Sequence, residues 1–435
     1  MLALFIGLAF LVLCIGAVVD FRWTLALMLL NYPLEQGLQG SIPLFVTNQS
    51  LANYIIGIIA VISLLRGFLQ KKTNLAGYFN IVWGIIFAAY LYSFISIAWS
   101  PSAANALLLV SDGIPYTILY IILAPMMIGD MKDWNHVLMI SIVFGSIAAI
   151  AIIFSSEFTL RSGRLGMDFG PKMRSSPLAI GELGGFLMIA GGLLVFRIQN
   201  VWFGLARIAI VIIGVVLSIY SGSRGQFLFA GILILLFFPL SRPIKNISQF
   251  FLLSLGSIGI TLLILFVLSL LVSDAEIANR WINATENERA VGLRAANISD
   301  LMNGFISSPS LWLPGMGISA FTSLTGSQEP YSHSIFLDVL VEMGLVSFCL
   351  MLVCIWNIFK QSLGILSSFA DQPDLRSAAA VLVTLCVYQI LLMNKQGQLW
   401  VSQHTLVYFL LLAKVFANQT TDIFSNKLTE VSLEE

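Results

Sequence analysis

Long apolar runs alternate with short polar connections along almost the whole chain. The first run, MLALFIGLAFLVLC, has no basic flank and no small-x-small cleavage site, so we interpret it as a retained helix. Runs of about 20 apolar residues, the length that crosses a bilayer as an α-helix, then recur. They cover residues 23–32 (a short run), 50–66, 75–99, 104–129, 134–154, 176–196, 201–220, 224–240, 249–272, 333–359, 375–393 and 398–417. The pattern predicts an all-α, polytopic transmembrane helix bundle with about 12 or 13 spans.

The longest polar segment, residues 273–332, divides the chain. We expect ten spans in residues 1–272, one long loop at 273–332, three further spans in 333–417 and a tail at 418–435. Apolar residues in the second half of the loop follow a 4-3-4-3 spacing, which predicts an amphipathic helix that carries Arg294 on or beside its buried edge. The apolar residues are Val291, Ala295, Ile298, Met302 and Phe305.

Composition agrees with a membrane protein. Of the 435 residues, 58% are hydrophobic and 10% are charged, which is typical of a chain surrounded mostly by lipid. The formal net charge is zero, so no general basic surface points to nucleic acid as a partner. The four cysteines all lie in apolar segments, where a packed hydrophobic side chain is the ordinary interpretation, ahead of a disulfide framework or a metal site.

The distribution of lysine and arginine predicts the orientation of the spans, because short cytoplasmic loops are enriched in these residues. If the spans alternate, 13 of the 22 basic residues fall on one side or lean toward it. We expect that side to be the cytoplasm. The tail at 418–435 is then cytoplasmic, and the loop at 273–332 lies outside.

The remaining nine basic residues are predicted on the outer side, where few are expected. They are Arg161, Arg164, Lys172, Arg174, Arg224, Arg280, Arg289, Arg294 and Lys395. Arg224 is the most informative of them, because it opens an apolar run. If the nine side chains converge, they form an anion site at the outer surface. The alternative is that they reach lipid phosphates or pair with acidic residues of the loop.

His333 stands at the outer mouth of a predicted span, directly after the long loop. Its imidazole can take up a proton near neutral pH, as a general base must. A helix-capping or interfacial histidine is the alternative.

Asp338 and Glu342 follow on the same predicted helix, and a carboxylate at membrane depth needs a partner or water. These carboxylates either hold the arginines or the histidine in place or form hydrogen bonds to a neighbouring helix.

Several of these segments resemble motifs of the O-antigen ligase and O-antigen polymerase superfamily, and they occur in that family's order. The motifs are Ser221-Gly-Ser-Arg-Gly225 at the start of a span, Gly292-x-Arg294, Leu313-Pro-Gly-Met-Gly317, and His333-Ser-x-x-Leu337-x-x-x-x-Glu342-x-Gly344-Leu345. Arg164-Leu-Gly-x-x-x-Gly170-Pro171 is similar to a further family segment. The motifs cover residues 220–345, whereas the first 150 residues share only hydrophobic topology with the family. One departure is Ser334, where the family more often has asparagine.

The resemblance implies an enzyme of the bacterial inner membrane whose active site faces the periplasm. Such an enzyme transfers a glycan from undecaprenyl diphosphate to an acceptor hydroxyl, with inversion and without metal or cofactor. The outer loops contain no Asp-x-Asp pattern and no His/Glu ligand spacing, which agrees with stabilisation of a departing diphosphate by fixed cations. A lipid-facing groove is expected for the polyprenyl tail. The implied site residues are His333 as general base, Arg224 and Arg294 for the diphosphate with Arg164 as a third, and Glu342 and Asp338 as supporting carboxylates.

Members of this family differ in their acceptor, and the motifs do not separate them. We expect an O-antigen or exopolysaccharide polymerase, which extends a lipid-linked repeat unit, with a chain-length regulator or flippase as possible partners. A ligase that transfers the glycan to lipid A core is the close alternative. A polysaccharide or lipid transporter is the alternative of another class, although transporters usually bind near the midplane between repeated halves and no repeat is seen here.

Overall fold

The computed structural model describes residues 2–70, 75–161, 163–167, 177–195, 200–242, 246–271, 285–326 and 332–434. Its α-helices are α1 (Leu2–Val19), α2 (Phe21–Leu29), α3 (Asn31–Gln39), α4 (Pro43–Thr47), α5 (Leu51–Leu69), α6 (Ile81–Ile95), α7 (Ala103–Tyr116), α8 (Met131–Phe154), α9 (Pro177–Leu193), α10 (Val201–Tyr220), α11 (Arg224–Phe237), α12 (Ile247–Leu271), α13 (Thr285–Ile306), α14 (Ala320–Thr325), α15 (Ile335–Ser368), α16 (Pro373–Gln396) and α17 (Gln403–Glu434). Strands β1 (Thr159–Arg161) and β2 (Arg164–Gly166) form a small antiparallel hairpin. The predicted all-α class is confirmed.

Within the described ranges, eight helical segments are long and apolar enough to cross a membrane. They are Leu2–Val19, Leu51–Leu69, Ile81–Trp99, Ala103–Met127, Met131–Phe154, Val201–Tyr220, Ile335–Ser368 and Pro373–Lys395. Shorter apolar helices at Pro177–Leu193, Arg224–Phe237 and Ile247–Leu262 coincide with further predicted spans. The short run predicted at 23–32 falls on α2 and α3, which meet at Leu30. The prediction of a polytopic membrane bundle is confirmed, and the total number of crossings stays a prediction.

The chain divides into two compact units. The first consists of Met1–Asn74, Asp130–Asn283 and Ile365–Tyr388, and the second of Leu75–Gly129, Ala284–Gly364 and Gln389–Glu435.

In the first unit, glycine allows α9 and α10 to pack very closely. A Cβ atom built on Gly184 would lie 2.7 Å from the carbonyl oxygen of Gly214. Small residues at such contacts let two helix backbones approach, which is a main source of helix association in lipid. The contact orients α9 so that its first residues lie beside the start of α11, where Gln226 of α11 donates a hydrogen bond of 2.7 Å to the carbonyl oxygen of Leu178.

In the second unit, the span that begins with α7 is broken. Pro115 lies near the end of α7, and the chain continues as a π-helical turn at Thr117–Leu123 and a 3₁₀ turn at Ala124–Met127. Side chains from elsewhere in the unit donate hydrogen bonds to the carbonyl oxygens around the break. The pairs are Gln403 to Gly113, Trp83 to Ile121, Tyr78 to Ile122, and Lys414 to Pro125. Non-helical backbone at membrane depth needs such internal partners. The fully buried Lys414 also places a cation at a helical C-terminal end, where positive charge is favoured.

Helix α13 confirms the helix predicted in the polar segment, but with a shorter buried face. Leu301 and Phe305 of α13 form a buried cluster with Phe321 and Val341. Ile298, which belongs to the same apolar spacing, is 40% exposed. Only the C-terminal turns of α13 are therefore held against the rest of the second unit by apolar contacts among the described residues.

Candidate functional site

The turn before Arg224 packs against the β1–β2 hairpin in the first unit. Gly222 has a left-handed backbone, with φ of +65°, and a Cβ atom built on it would lie 2.6 Å from the carbonyl oxygen of Gly163 and 2.7 Å from Cγ of Arg164. A residue with a side chain would not fit at this position. The structure thus places Arg164, an exposed residue of β2, directly beside the segment that ends in Arg224.

Helix α11 adds favourable electrostatics to this position. Arg224 is its first residue, and the preceding Ser223 makes no side-chain capping hydrogen bond. A helix N-terminus carries about half a positive charge and directs backbone N–H groups toward an anion. In the described part of the chain, the buried Oγ of Ser223 and the buried Oε1 of Gln226 have no hydrogen-bond partner. Arg164, Arg224 and the start of α11 together form a polar, positively charged region at the hairpin end of the first unit.

Gln226 is a residue of this region that the sequence did not single out. It is fully buried, and its hydrogen bond to Leu178 fixes the first turn of α11 against α9. The sequence indicated this residue only as a polar amide two residues after Arg224, at the start of an apolar run.

Replacement of Gly222 by alanine is expected to loosen the hairpin. The Cβ atom would displace Gly163 and Arg164, and left-handed backbone at a residue other than glycine adds a strain of about 1–3 kcal/mol. We expect faster tryptic cleavage after Arg164 in the purified protein, measured by mass spectrometry of the new peptide ends. Gly231→Ala in α11 is the matched control, because a Cβ atom there has nothing within 4 Å. Equal cleavage rates for the two variants would contradict the packing argument.

The second unit contains a backbone lock between the Leu313–Gly317 motif and α15. Gly344 interrupts α15 with φ of 78° and ψ of 177°. On one side of this break, the N–H groups of Met316 and Gly317 donate to the carbonyl oxygens of Val341 and Glu342, at 2.8 and 2.9 Å. On the other side, the Leu345 N–H donates to the Trp312 carbonyl oxygen at 2.8 Å. The motif and the helix break therefore provide hydrogen-bond partners for each other's backbone N–H and carbonyl groups.

Side chains from the end of α6 and from the turn after it form hydrogen bonds to this lock. Three side chains donate to carbonyl oxygens of the motif and of the residue after it: Tyr92 to Pro314 at 2.6 Å, Trp99 to Gly315 at 3.2 Å, and Ser100 to Ile318 at 2.5 Å. In addition, the Ile318 N–H donates to Oγ of Ser96 at 3.1 Å. None of these residues was predicted from the sequence. Their signal was a group of polar and aromatic side chains at the end of a span.

Glu342 supports the start of α14. The carboxylate is buried, and it accepts a hydrogen bond of 3.3 Å from the backbone N–H of Phe321 as well as bonds from Ser319 and Ala320. These are the N–H groups that a short helix leaves unsatisfied at its beginning. The contact matches the structural alternative for Glu342, a hydrogen bond to a neighbouring helix. The same carboxylate thereby ties α15 to the chain after the Leu313–Gly317 motif.

Asp338 supports the segment around His333. It is 2% exposed, and its Oδ1 accepts a hydrogen bond of 3.3 Å from the backbone N–H of Ser332. His333 itself has φ of 68°, an uncommon conformation for a residue other than glycine. Ser334 donates a hydrogen bond of 2.7 Å to Asn394, the neighbour of Lys395. The partly exposed imidazole is therefore carried by a short segment that is fixed on both sides.

The second unit contains an apolar groove. Ile335 and Phe336 are among its lining residues, together with further apolar residues of α6, α15 and α17. Its volume is about 600 Å³, within the range of about 300–1,000 Å³ that is typical of small-molecule sites. The groove is apolar enough for a hydrocarbon chain, and two of its lining residues follow His333 closely in the chain.

The remaining predicted site residues are placed less fully. Arg294 lies on α13, and its side chain, like those of Arg161 and Arg289, is outside the described part of the structure. Lys172, Arg174 and Arg280 lie outside the described residues altogether. Arg164 and Arg224 belong to the first unit and Arg294, His333, Asp338 and Glu342 to the second, so the convergence of all six stays a prediction.

No protein-family model matches the chain, and no curated protein matches it either. Among the described residues, no group of three or more His, Cys, Asp or Glu side chains is arranged to hold a metal ion. Metal independence stays a prediction of the sequence.

Proposed function

We propose that this membrane protein is a polysaccharide polymerase that transfers a glycan from undecaprenyl diphosphate to an acceptor hydroxyl of a lipid-linked repeat unit. In this proposal the protein lies in the bacterial inner membrane and its active site faces the periplasm. The transfer needs no metal or cofactor. The proposal rests on the resemblance of the motifs together with the placement of the residues that carry them.

The single observation that supports the proposal most strongly is the groove of about 600 Å³ whose lining includes Ile335 and Phe336, which follow His333 closely in the chain. A substrate with a polar, reactive head and a long apolar tail has two needs: a titratable group at a polar surface and an apolar channel leading away from it. His333 and the groove meet both needs within one unit. The groove would hold the part of the polyprenyl chain closest to the diphosphate.

Arginine suits the diphosphate. Its guanidinium group is planar, always charged and able to bind two phosphate oxygens at once, whereas the ammonium group of lysine acts as a point charge. Arg164 and Arg224, together with the N-terminus of α11, supply the fixed positive charge in the first unit. Arg294 is proposed as a third cation.

In the proposed reaction, His333 accepts the proton of the acceptor hydroxyl while the hydroxyl oxygen attacks the anomeric carbon of the donor. The bond between that carbon and the diphosphate oxygen breaks on the opposite face, so the configuration at the carbon inverts. The lipid diphosphate leaves with the electron pair of that bond, and the arginines stabilise the negative charge on it. Asp338 keeps the segment of His333 in place through its hydrogen bond to Ser332.

Product analysis in a bacterial strain that lacks this protein tests the proposal. Wild type should restore long glycan, whereas Arg224→Gln should lower its formation about 10²–10³-fold, as expected for loss of one preorganised donor to a developing charge. Arg66→Gln, at the other end of the first unit, is the matched control and should behave as wild type. Expression of each variant is checked in the membrane fraction.

The products also separate the alternatives. Single lipid-linked repeat units left by Arg224→Gln support the polymerase. Long lipid-linked chains that are not attached to lipid A core would identify a ligase and contradict the polymerase. Wild-type products from Arg224→Gln would overturn the assigned role of the arginine.

A further inference from the structure

Three arginines gather at the end of the first unit that is remote from the hairpin. Arg207 lies on α10, Arg242 follows α11, and Arg376 lies in the first turn of α16. Helix α9 begins beside the hairpin end, where Gly181 packs against Ser221, and runs to this opposite end. The three residues therefore share one face of the membrane domain, distinct from the region of Arg164 and Arg224.

Two of these arginines bind the ends of helices. The guanidinium group of Arg207 donates hydrogen bonds of 3.2 and 3.0 Å to the carbonyl oxygens of Gly191 and Gly192, in the last turn of α9. Nε of Arg376 donates a hydrogen bond of 3.0 Å to the Leu240 carbonyl oxygen, just after α11. Carbonyl groups at helix C-termini attract cations, which accounts for both contacts.

Arg242 has no comparable structural task. Its guanidinium carbon lies 4.2 Å from the centre of the Phe238 ring, and Nη1 donates a hydrogen bond of 2.8 Å to the hydroxyl of its neighbour Ser241. Burial and the nearby charge of Arg207 lower the pKa of Arg242 to about 10. Two guanidinium groups thus repel each other in a partly buried place.

The arginines are held together by the start of α16. Ser377, next to Arg376, accepts a hydrogen bond of 3.0 Å from the backbone N–H of Val195, just after α9. Since Arg376 binds Leu240 two residues before Arg242, this one turn of α16 connects the ends of α9 and α11. The cluster is therefore built from four elements and does not depend on a single flexible side chain.

The three arginines are not paired with carboxylates of the described residues. Each helix C-terminus offers only about half a negative charge, so two of them balance about one of the three cations. Within the part of the chain that the structure describes, none of the three arginines forms a salt bridge with a carboxylate, including the nearby Asp371 and Asp374. Asp371 and Asp374 lower the net charge at this end of the unit, but the three guanidinium groups are not paired with carboxylates in the described ranges, so they can bind a phosphate group.

The surface around the cluster is apolar and exposed. Trp202 at the start of α10 is 77% exposed, Leu205 on the same helix 51%, and Leu236 at the end of α11 59%. In a membrane helix such side chains face acyl chains, and tryptophan marks the level of the lipid head groups. Basic pockets at this level between membrane helices suit the phosphates of anionic lipids.

We propose that Arg207, Arg242 and Arg376 form a binding site for the phosphate head group of an anionic phospholipid, whose acyl chains lie along α10 and α11. The bound lipid links the ends of α9, α11 and α16. This site is separate from the proposed glycan transfer and does not depend on it.

Native mass spectrometry of the full-length protein in detergent tests the proposal, with phosphatidylglycerol, phosphatidylcholine and inorganic phosphate as separate probes. We expect phosphatidylglycerol to bind at least about fivefold more tightly than phosphatidylcholine. Arg242→Gln should weaken phosphatidylglycerol binding about fivefold, the effect typical of one basic residue at a membrane surface. This variant keeps both helix-end contacts, so it should fold normally.

Arg66→Gln provides the control for nonspecific attraction. Arg66 lies at the end of α5 in the same unit and its guanidinium donates to the Val18 carbonyl oxygen, so it is a basic residue with a similar structural contact. Its replacement should leave lipid binding unchanged. Equal weakening by Arg66→Gln and Arg242→Gln, or no preference for phosphatidylglycerol, overturns the proposal. Inorganic phosphate that displaces the lipid and binds equally well by itself would overturn the assignment to a lipid.

Discussion

Replacing His333 with asparagine is expected to reduce glycan transfer about 10²–10⁴-fold, the usual effect of removing a positioned general base. Asparagine is the informative substitution because His333 has φ of 68°, and asparagine adopts such left-handed conformations more readily than most residues. The change therefore removes the imidazole without adding backbone strain. A loss of activity then reports on proton transfer.

The rate of long-glycan formation in membranes, at matched expression, is the measurement. His136→Asn is the control, because His136 is an exposed histidine near the start of α8 in the other unit and has no assigned role. Thermal unfolding of both variants should resemble that of wild type. Activity of His333→Asn close to the wild-type rate would show that His333 is only an interfacial residue, the alternative that its position in the sequence allows.

Much of the fold could be predicted from hydrophobic runs alone. A membrane helix has to satisfy its backbone hydrogen bonds internally and expose apolar side chains, so each crossing leaves a run of about 20 residues in the sequence. The runs at 201–220 and 134–154, for example, coincide with α10 (Val201–Tyr220) and the larger part of α8 (Met131–Phe154). The helix in the polar segment followed from its spacing in the same way.

Contacts between distant segments could not be predicted in this way. The burial of Lys414 against Pro125 and the packing of Gly222 against Arg164 depend on residues far apart in the chain. Each contact lies at a local irregularity of the backbone, a broken helix in one case and a tight turn in the other. A proline or glycine in the sequence indicates the irregularity, but the sequence does not indicate which distant residue contacts it.

The candidate site shows the same division. His333, Asp338 and Glu342 could be selected from the sequence because polar residues are rare in apolar runs. Their separate tasks could not, since Glu342 binds the start of α14 whereas Asp338 binds Ser332. The first contact fixes the start of α14, just after the Leu313–Gly317 motif, to α15, and the second fixes the segment of His333. Both carboxylates therefore hold backbone segments of the second unit in place through hydrogen bonds.

The backbone lock at Gly344 should be the most sensitive point of the second unit. With φ of 78° and ψ of 177°, Gly344 has a conformation that is essentially restricted to glycine. A Cβ atom there would lie 2.5 Å from the backbone nitrogen of Gly315 and would also overlap the Leu313 carbonyl oxygen. Gly344→Ala would force the motif away from α15 and break the hydrogen bonds that Met316 and Gly317 make to it.

We expect Gly344→Ala to lower the free energy of unfolding by about 3–5 kcal/mol, from backbone strain of about 1–3 kcal/mol and the loss of hydrogen bonds worth about 1 kcal/mol each. Such a loss is a large part of the stability of an ordinary domain, about 5–15 kcal/mol. Thermal unfolding in detergent measures it, followed by intrinsic tryptophan fluorescence, to which Trp99 and Trp312 beside the lock contribute. Gly84→Ala in α6 is the control, because its Cβ atom has nothing within 4 Å and alanine favours a helix. If Gly344→Ala unfolds at the same temperature as Gly84→Ala, the lock does not stabilise the second unit.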